Sequence, residues 1–313
     1  MKLVTFQPAP GCARLGLQLD SKVVDLVLAA EACTADKETD LSNIPSEMMP
    51  FLDLGAVAIE AAGKIMVWAT ELLKASSNVV SRRGEMISYD PERIRILAPV
   101  PRPPKILCAA LNYRAHAEEA EAIIPAYPLF FIKPGFSPVV GPNDKVYRHP
   151  LSRNLVFEGE LAVVIGKSCY RVPKEKAFDV VAGYTIVNDM SCRDLGKTNI
   201  PGLFDWFRVK AFDTSLPMGP CLVTKDEIDD PHKLHLTVHV NGTLVQDGST
   251  SEMVYRVEDL IEFITDYITL HPGDIIATGT PGGSKGALNP GDVVEVRIDR
   301  IGELRSIIAD RLP

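Results

Sequence analysis

The stretch Val156-Phe157-Glu158-Gly159-Glu160-Leu161-Ala162-Val163-Val164-Ile165-Gly166 sets two glutamates one residue apart at the head of an apolar run. From Leu161 to Gly166 every residue is apolar or glycine, and Val163, Val164 and Ile165 are β-branched. Such a run predicts a buried strand over 156–165. Alternation along a strand puts Glu158 and Glu160 on one face, roughly 7 Å apart, while Gly159 leaves the opposite face without bulk. Two carboxylates on one face of a buried strand repel each other and are costly to desolvate. A divalent cation offsets both costs. A solvated acidic strand end is the plainer reading, and the apolar continuation argues against it.

The chain has 313 residues, 46% of them hydrophobic and 24% charged, which is enough for a large core and two domains. A net charge of −8 without a basic stripe argues against nucleic acid and anionic membranes as partners. The start, Met1-Lys2-Leu3-Val4-Thr5-Phe6-Gln7-Pro8, lacks the apolar core of a signal peptide. No apolar run approaches the ~18 residues of a membrane span. The cysteines at 12, 33, 108, 169, 192 and 221 form no Cys-x-x-Cys pair, so free thiols in a reducing, cytoplasmic setting are expected. No His-x-x-x-His pair occurs. Any metal site must then consist mainly of carboxylates, which favours Mg²⁺ or Mn²⁺, with Ca²⁺ the remaining option, over zinc.

Residues 1–97 read as a small α+β unit. Strands are expected over 2–7, 13–19 and 22–26, then one helix over 51–75 with Ile59, Ala62, Ile65, Met66, Ala69, Leu72 and Leu73 at three- and four-residue spacing. Residues 98–104, rich in proline, read as a stiff linker. Residues 105–313 form the second unit, with strands expected over 105–109, 129–133, 156–165, 182–189, 220–224, 234–240, 273–278 and 292–298. Asn241-Gly242 signals a hairpin turn, and 257–267 has helical spacing. The fold class is α+β and β-rich, a sandwich or roll rather than a doubly wound sheet.

Other residues offer chemistry. Asp189, closing the strand 182–188, is a third oxygen ligand or a helix cap. With Glu158 and Glu160 it would leave octahedral positions open for water or substrate. Asn112 to Glu119 reads as a loop entering a helix, with His116 and Glu119 on one face as a base and its partner or as solvated surface. That polar segment carries little apolar surface to anchor it. Lys210, flanked by aromatic residues, could hold an anionic substrate or snorkel at the surface. Thr278-Gly279-Thr280 could cradle a carboxylate or simply turn the chain.

In this order the segments resemble the fumarylacetoacetate hydrolase family. The resemblance rests on Asn112-Tyr113 with His116 and Glu119, on Phe157-Glu158-Gly159-Glu160-Leu161, and on Asn188-Asp189-Met190-Ser191-Cys192-Arg193-Asp194. It continues through Asp205 to Asp213 around Lys210, Asn241-Gly242, Gln246, Met253 and Pro272 to Pro281. One run departs, His149-Pro150-Leu151-Ser152-Arg153-Asn154, where many members carry a Gly-rich turn. The resemblance implies a mixed β-sandwich or β-roll catalytic domain behind a small N-terminal domain, and a homodimer. It implies a Mg²⁺ or Mn²⁺ centre on Glu158, Glu160 and Asp189, and His116, Glu119 and Lys210 as catalytic residues. Tyr113, Arg193, Gln246, Thr278, Gly279 and Thr280 would bind substrate, a small anionic 2-oxo acid.

A metal with open positions is an electron sink for the enolate of such an acid. With both His116 and Glu119 present, the leading expectation is hydrolysis of a C–C bond in a β-diketo or acylpyruvate-type acid. The alternatives are isomerisation or tautomerisation of a 2-hydroxy-dienoic diacid such as 2-hydroxyhepta-2,4-diene-1,7-dioate, and decarboxylation of oxaloacetate. A non-catalytic metal-binding scaffold is the remote alternative. Presence of ligands, base pair and lysine together argues against it.

Overall fold

The structure is a computed structural model describing all residues except 9–10, 38–40, 42, 77–78, 82 and 312–313. It is a strand-rich α+β fold. A long mixed sheet runs in the spatial order Ser88–Tyr89, Lys22–Asp25, Arg14–Leu19, Lys2–Gln7, Leu216–Thr224, Val181–Asn188, Gly159–Ile165, Ile275–Ala277, Ile106–Ala110 and Leu129–Lys133. A second sheet orders Thr243–Ser249, His235–Val240, Val293–Ile298, Gly302–Asp310 and Lys145–Arg148. The long sheet passes through the division read at 98–104. Lys2–Gln7 pairs antiparallel with Leu216–Thr224, placing Leu3 opposite Leu222.

The strand Gly159–Ile165 is buried along its whole length. Its odd positions, Leu161, Val163 and Ile165, share a core with Leu236, Val238 and Val296 of the second sheet. Its even positions, Ala162 and Val164, share another with Phe51, Leu52 and Ile65 of the N-terminal helices. With both faces covered, the strand reads as a continuous apolar run rather than an alternating one. Glu160 is in phase with the second set, away from the five-stranded sheet.

Several expected elements differ in extent. The strand expected over 156–165 is interrupted at Phe157 and Glu158, and Leu155–Val156 pairs instead with Ser191–Cys192. The strand expected to reach residue 26 ends at Asp25. There Oδ1 of Asp25 accepts the N–H groups of Val27 and Leu28, each at 3.1 Å, capping the helix Leu26–Lys37. The single helix expected over 51–75 is two, Met48–Leu54 and Ala56–Ala75. Gly55, at φ +57°, ends the first by donating to Leu52 O at 3.1 Å. The strand Leu129–Lys133 and the helix Val257–Tyr267 stand where expected. Asn241 and Gly242, at φ +51° and +78°, make the hairpin turn. Among the described residues no helix is long and apolar enough to cross a membrane, and Cys12, Cys108, Cys169, Cys192 and Cys221 are free thiols.

Gly159 lets Val238 and Val296 of the second sheet pack against the acidic strand. A Cβ there would lie 2.6 Å from Val238 Cγ2 and 2.9 Å from Val296 Cγ1. Gly159→Ala should therefore lower the unfolding free energy in urea by about 1–3 kcal/mol through overpacking. Val238→Ala in the same chain should recover part of the loss. A Gly159→Ala protein as stable as the parent would contradict this packing.

Candidate active site

A gap between two strand pairings builds the site. Val156 pairs with Ser191, and Gly159 pairs with Asn188. Between these pairings the ladder opens. Asn188 Oδ1 accepts the Glu158 N–H at 2.9 Å, and the Asp189 N–H donates to Glu158 O at 2.8 Å. The opening turns Glu158 and Asp189 toward Glu160, so the three carboxylates offer ligand atoms within 4.8 Å of one another. They are 6%, 2% and 1% exposed for Glu158, Glu160 and Asp189. Glu158 thus reaches the cluster from a break in the strand rather than from regular alternation.

Charge crowding sets the proton affinities. Burial pushes the Glu160 carboxyl up, and the charges of Asp189 and Glu158 push it well above the usual carboxylate range, against the Gly279 N–H donated to Oε2 at 2.8 Å. Burial also raises Glu158, but Lys210, His116 and Arg193 outweigh it and hold that carboxyl at about 2. Lys210 lies at the end of the short helix Trp206–Lys210, whose first turn is capped by Asp205. Its Nζ donates to Glu158 Oε2 at 2.6 Å and to Asp189 Oδ2 at 2.5 Å, and lies 4.9 Å from the Phe131 ring centre. Burial opposes the ammonium charge, yet Asp189 and Glu158 overcome it and raise the Lys210 pKa.

His116 and Lys210 share a cavity of about 270 Å³ with the acidic cluster. His116 lies on the helix Arg114–Glu119, and its Nδ1 is buried without a partner. Burial lowers its pKa, with Arg193 and Lys210 adding to the effect against Glu158 and Glu119. Glu119 sits on the same helix but faces elsewhere. Both its carboxylate oxygens accept the Gly283 N–H at 2.9 Å, and Lys285 Nζ is 3.4 Å away. Among the described residues no hydrogen bond joins His116 to Glu119. The segment is also better anchored than its composition suggested. Tyr113 and Ala117 are buried, and the Asn112 side chain donates to Tyr255 O at 2.9 Å and Thr278 O at 2.8 Å.

Of the residues expected to bind substrate, Arg193 and Thr280 line the cavity, whereas Tyr113, Gln246, Thr278 and Gly279 stand behind it. Arg193 donates to Glu158 Oε1 at 3.0 Å and to Ser284 O at 2.9 Å. Thr278 and Gly279 direct their donors to Leu161 O and Glu160. Gln246 accepts the Gly159 N–H at 3.3 Å and donates to Thr280 Oγ1 at 3.0 Å and Pro281 O at 2.8 Å, so it ties the glycine between the glutamates to the following loop. Tyr113 is buried with its hydroxyl unpartnered, and burial raises its pKa. The departing run at 149–154 is tied to Asp194, which accepts Ser152 Oγ at 2.6 Å and the Arg153 N–H at 2.7 Å.

Lys133 is a site residue without a sequence expectation. It is fully buried. Its Nζ donates to Lys210 O at 2.6 Å and Ser215 Oγ at 2.9 Å, and stands 2.9 Å from Asp189 Oδ1 as an ion pair rather than an aligned hydrogen bond. The available signal was its phase: on strand Leu129–Lys133 it falls on the same face as the buried Phe131.

These residues fit a divalent metal ion. The donors are all carboxylate oxygens, which suits a hard cation. Asp189 Oδ1 is buried without a hydrogen-bond donor, and Glu160 is crowded by like charge. A cation satisfies the first and relieves the second. Lys210, bridging Glu158 and Asp189, marks where positive charge is already stabilised.

Removing Lys133 strips a buried counter-charge from Asp189. Lys133→Met should cost about 3–5 kcal/mol of stability, read from urea denaturation. A loss below about 0.5 kcal/mol, as for a surface lysine, would contradict this placement.

Residues 105–309 match the family described as fumarylacetoacetate hydrolase, C-terminal. The chain is 40% identical over 299 residues to the oxaloacetate tautomerase YisK of Bacillus subtilis, covering 92% of this chain and 93% of that one. It is 35% identical over 308 residues to the mitochondrial oxaloacetate tautomerase Fahd2a of Rattus norvegicus, covering 96% and 90%. Its fold matches the crystal structure of maleylpyruvate hydrolase from Sphingobium sp. SYK-6 in complex with manganese(II) and pyruvate. There the TM-score is 0.74 at 30% identity, and all of both chains is covered. Matching segments, fold and buried acidic cluster together place the chain in the fumarylacetoacetate hydrolase family.

Proposed function

We propose that this protein is a metal-dependent keto–enol tautomerase of a small 2-oxo acid, with oxaloacetate the first substrate to test. The observation that carries this reading is the state of His116. Its ring enters the cavity with Nδ1 unpartnered, burial favours its neutral form, and Glu119 is turned to Gly283. The site thus presents a single proton carrier without an assembled pair for activating water. Identity to two oxaloacetate tautomerases along most of the chain supports the same reading.

Tautomerisation moves one proton off C3 and one onto the C2 oxygen. In the enol-forming direction His116 takes the C3 proton. The C–H electron pair becomes the C2=C3 double bond, the C2=O π pair moves onto oxygen, and an oxygen pair bonds a proton supplied by solvent water. In the reverse direction the O–H proton leaves to water and His116 returns its proton to C3. Lys210, held as an ammonium by Asp189 and Glu158, serves as a fixed positive charge beside the developing charge on oxygen rather than as a base. Arg193 and Thr280 border the substrate. A Mg²⁺ or Mn²⁺ ion held by Glu158, Glu160 and Asp189 would supply Lewis acidity to the keto oxygen.

C–C bond hydrolysis of an acylpyruvate is the second reading, favoured by the likeness to maleylpyruvate hydrolase. The two readings differ in their dependence on Glu119. For the tautomerase, His116→Ala should slow oxaloacetate enol–keto conversion by about 10²–10⁴-fold, with Glu119→Ala changing it by less than about tenfold and no pyruvate accumulating. Cleavage of acylpyruvates without accelerated tautomerisation, with both variants equally impaired, would replace the tautomerase reading with hydrolysis. Pyruvate and CO₂ from oxaloacetate would replace it with decarboxylation.

A further inference from the structure

We propose that His232 is a positioning residue for His116. As a neutral imidazole it holds the strap that clamps the His116 loop; on gaining a proton it pairs with Glu258 and releases that strap. The inference rests on the reading of His116 as the proton carrier and concerns the regulation of that same site. The strap is residues 253–257, leading into the helix Val257–Tyr267. It is tied to Asn112 through backbone and side chain. The Val254 N–H donates to Asn112 O at 2.8 Å, the Tyr255 N–H donates to Asn112 Oδ1 at 2.8 Å, and Asn112 Nδ2 donates to Tyr255 O at 2.9 Å. Met253 bridges to Tyr113, the residue before the helix Arg114–Glu119 that carries His116. At the other end of the strap the Val257 N–H donates to His232 Nε2 at 3.1 Å.

That bond fixes the proton of the ring. A backbone N–H only donates, so Nε2 accepts, and the neutral ring carries its proton on Nδ1. Nδ1 donates in turn to Asp230 Oδ1 at 3.1 Å, which also accepts the His232 N–H at 3.0 Å. His232 is 4% exposed, so its nitrogens depend on these partners rather than on water. A second proton would set an N–H on Nε2 directly against the Val257 N–H. An acceptor for it stands alongside: Glu258 Oε2 lies 3.4 Å from Nε2, buried without a hydrogen-bond partner. The protonated ring therefore pairs with Glu258, and the Val257 N–H loses its acceptor. Other groups face the ring. Arg256 Nε lies 3.7 Å from Glu258 Oε1, Lys233 Nζ lies 3.1 Å from Asp230 Oδ2, and the Phe178 ring stands edge-on at 6.4 Å. Tyr184 is near enough that Glu258 and Asp230 add to burial in raising its pKa. Burial lowers the His232 pKa, with Arg256 adding to the effect against Glu258 and Asp230. The strap is thus held at neutral pH and let go in acid, below the ordinary histidine value of about 6.5.

Hydrogen exchange in the whole chain without substrate tests this independently of turnover. Protection over 112–119 and 253–258, corrected for the intrinsic pH dependence of exchange, is compared at about pH 8 and about pH 5, the range in which histidine titrates. We expect the parent to lose protection in both segments on acidification by about three- to tenfold, the weight of one hydrogen bond. His232→Gln, whose amide can accept from Val257 and donate to Asp230 without titrating, should keep its protection at both pH values. His232→Leu should show the low protection at both. In turnover, His232→Leu should lower kcat for oxaloacetate enol–keto conversion more than it raises KM, and His232→Gln should restore it. Equal protection of the parent at the two pH values, or the same acid loss in His232→Gln, would overturn the proposal. If His232→Gln does not fold, the His232 imidazole titration followed by NMR in the parent decides. A midpoint that coincides with the loss of protection supports the proposal, and one that does not overturns it. If oxaloacetate is not converted at all, the tautomerase reading fails, while the exchange comparison still decides the role of His232.

Discussion

Three carboxylates forced together out of water, with their ligand atoms within 4.8 Å of one another, are the constraint on which this structure depends. Unrelieved, such a cluster would protonate or separate. Here positive charge is brought in from distant parts of the chain. Lys210 comes from a short helix and bridges two of the carboxylates, Lys133 comes from the end strand of the long sheet, and Arg193 comes from the turn after Asp189. The compensation is uneven. Glu158 is held ionised by its cations, whereas burial and like charge push Glu160 upward. That asymmetry leaves a demand for positive charge on the Glu160 side of the cluster, which suits an ion carrying more than one charge.

The scaffold makes this geometry rigid. The strand carrying Glu160 lies between two cores, one shared with the five-stranded sheet and one with the N-terminal helices. Gly159 lets the former approach, while the Gly279 N–H, Thr278 and Gln246 bind the loop after Ile275–Ala277 to the same strand. Residues expected to touch substrate therefore divide into two kinds. Arg193 and Thr280 face the cavity. Tyr113, Gln246, Thr278 and Gly279 stand behind the carboxylates, and three of them hold strand and loop in place. His116 faces the cavity from a helix whose preceding loop is clamped by Asn112, so its position is set by the same framework.

Much of this was legible in the chain, for identifiable reasons. The Gly159–Ile165 strand, the Val257–Tyr267 helix and the Asn241-Gly242 turn announce themselves through short-range patterns, and the structure carries them. The helix Leu26–Lys37 was missed because its apolar start reads as the end of a strand, although Asp25 is a cap in plain view. The break at Phe157 and Glu158 depends on a partner some 30 residues away, Asn188, which no local pattern reveals. Lys133 was missed for a similar reason. A lysine in a strand ordinarily faces water, and only the distant Asp189 and Ser215 explain its burial. The His116–Glu119 spacing indicated a shared helix correctly, but spacing says nothing of the competing Gly283 N–H that holds Glu119.

The central claim is that Glu158, Glu160 and Asp189 together bind one divalent ion at the floor of the cavity that His116 enters. Anomalous diffraction from a Mn²⁺-soaked crystal tests it most directly. The account predicts a single strong anomalous peak within bonding distance of all three carboxylates, beside Lys210. A peak elsewhere, a peak touching fewer than three of these carboxylates, or no peak at saturating Mn²⁺ would contradict it.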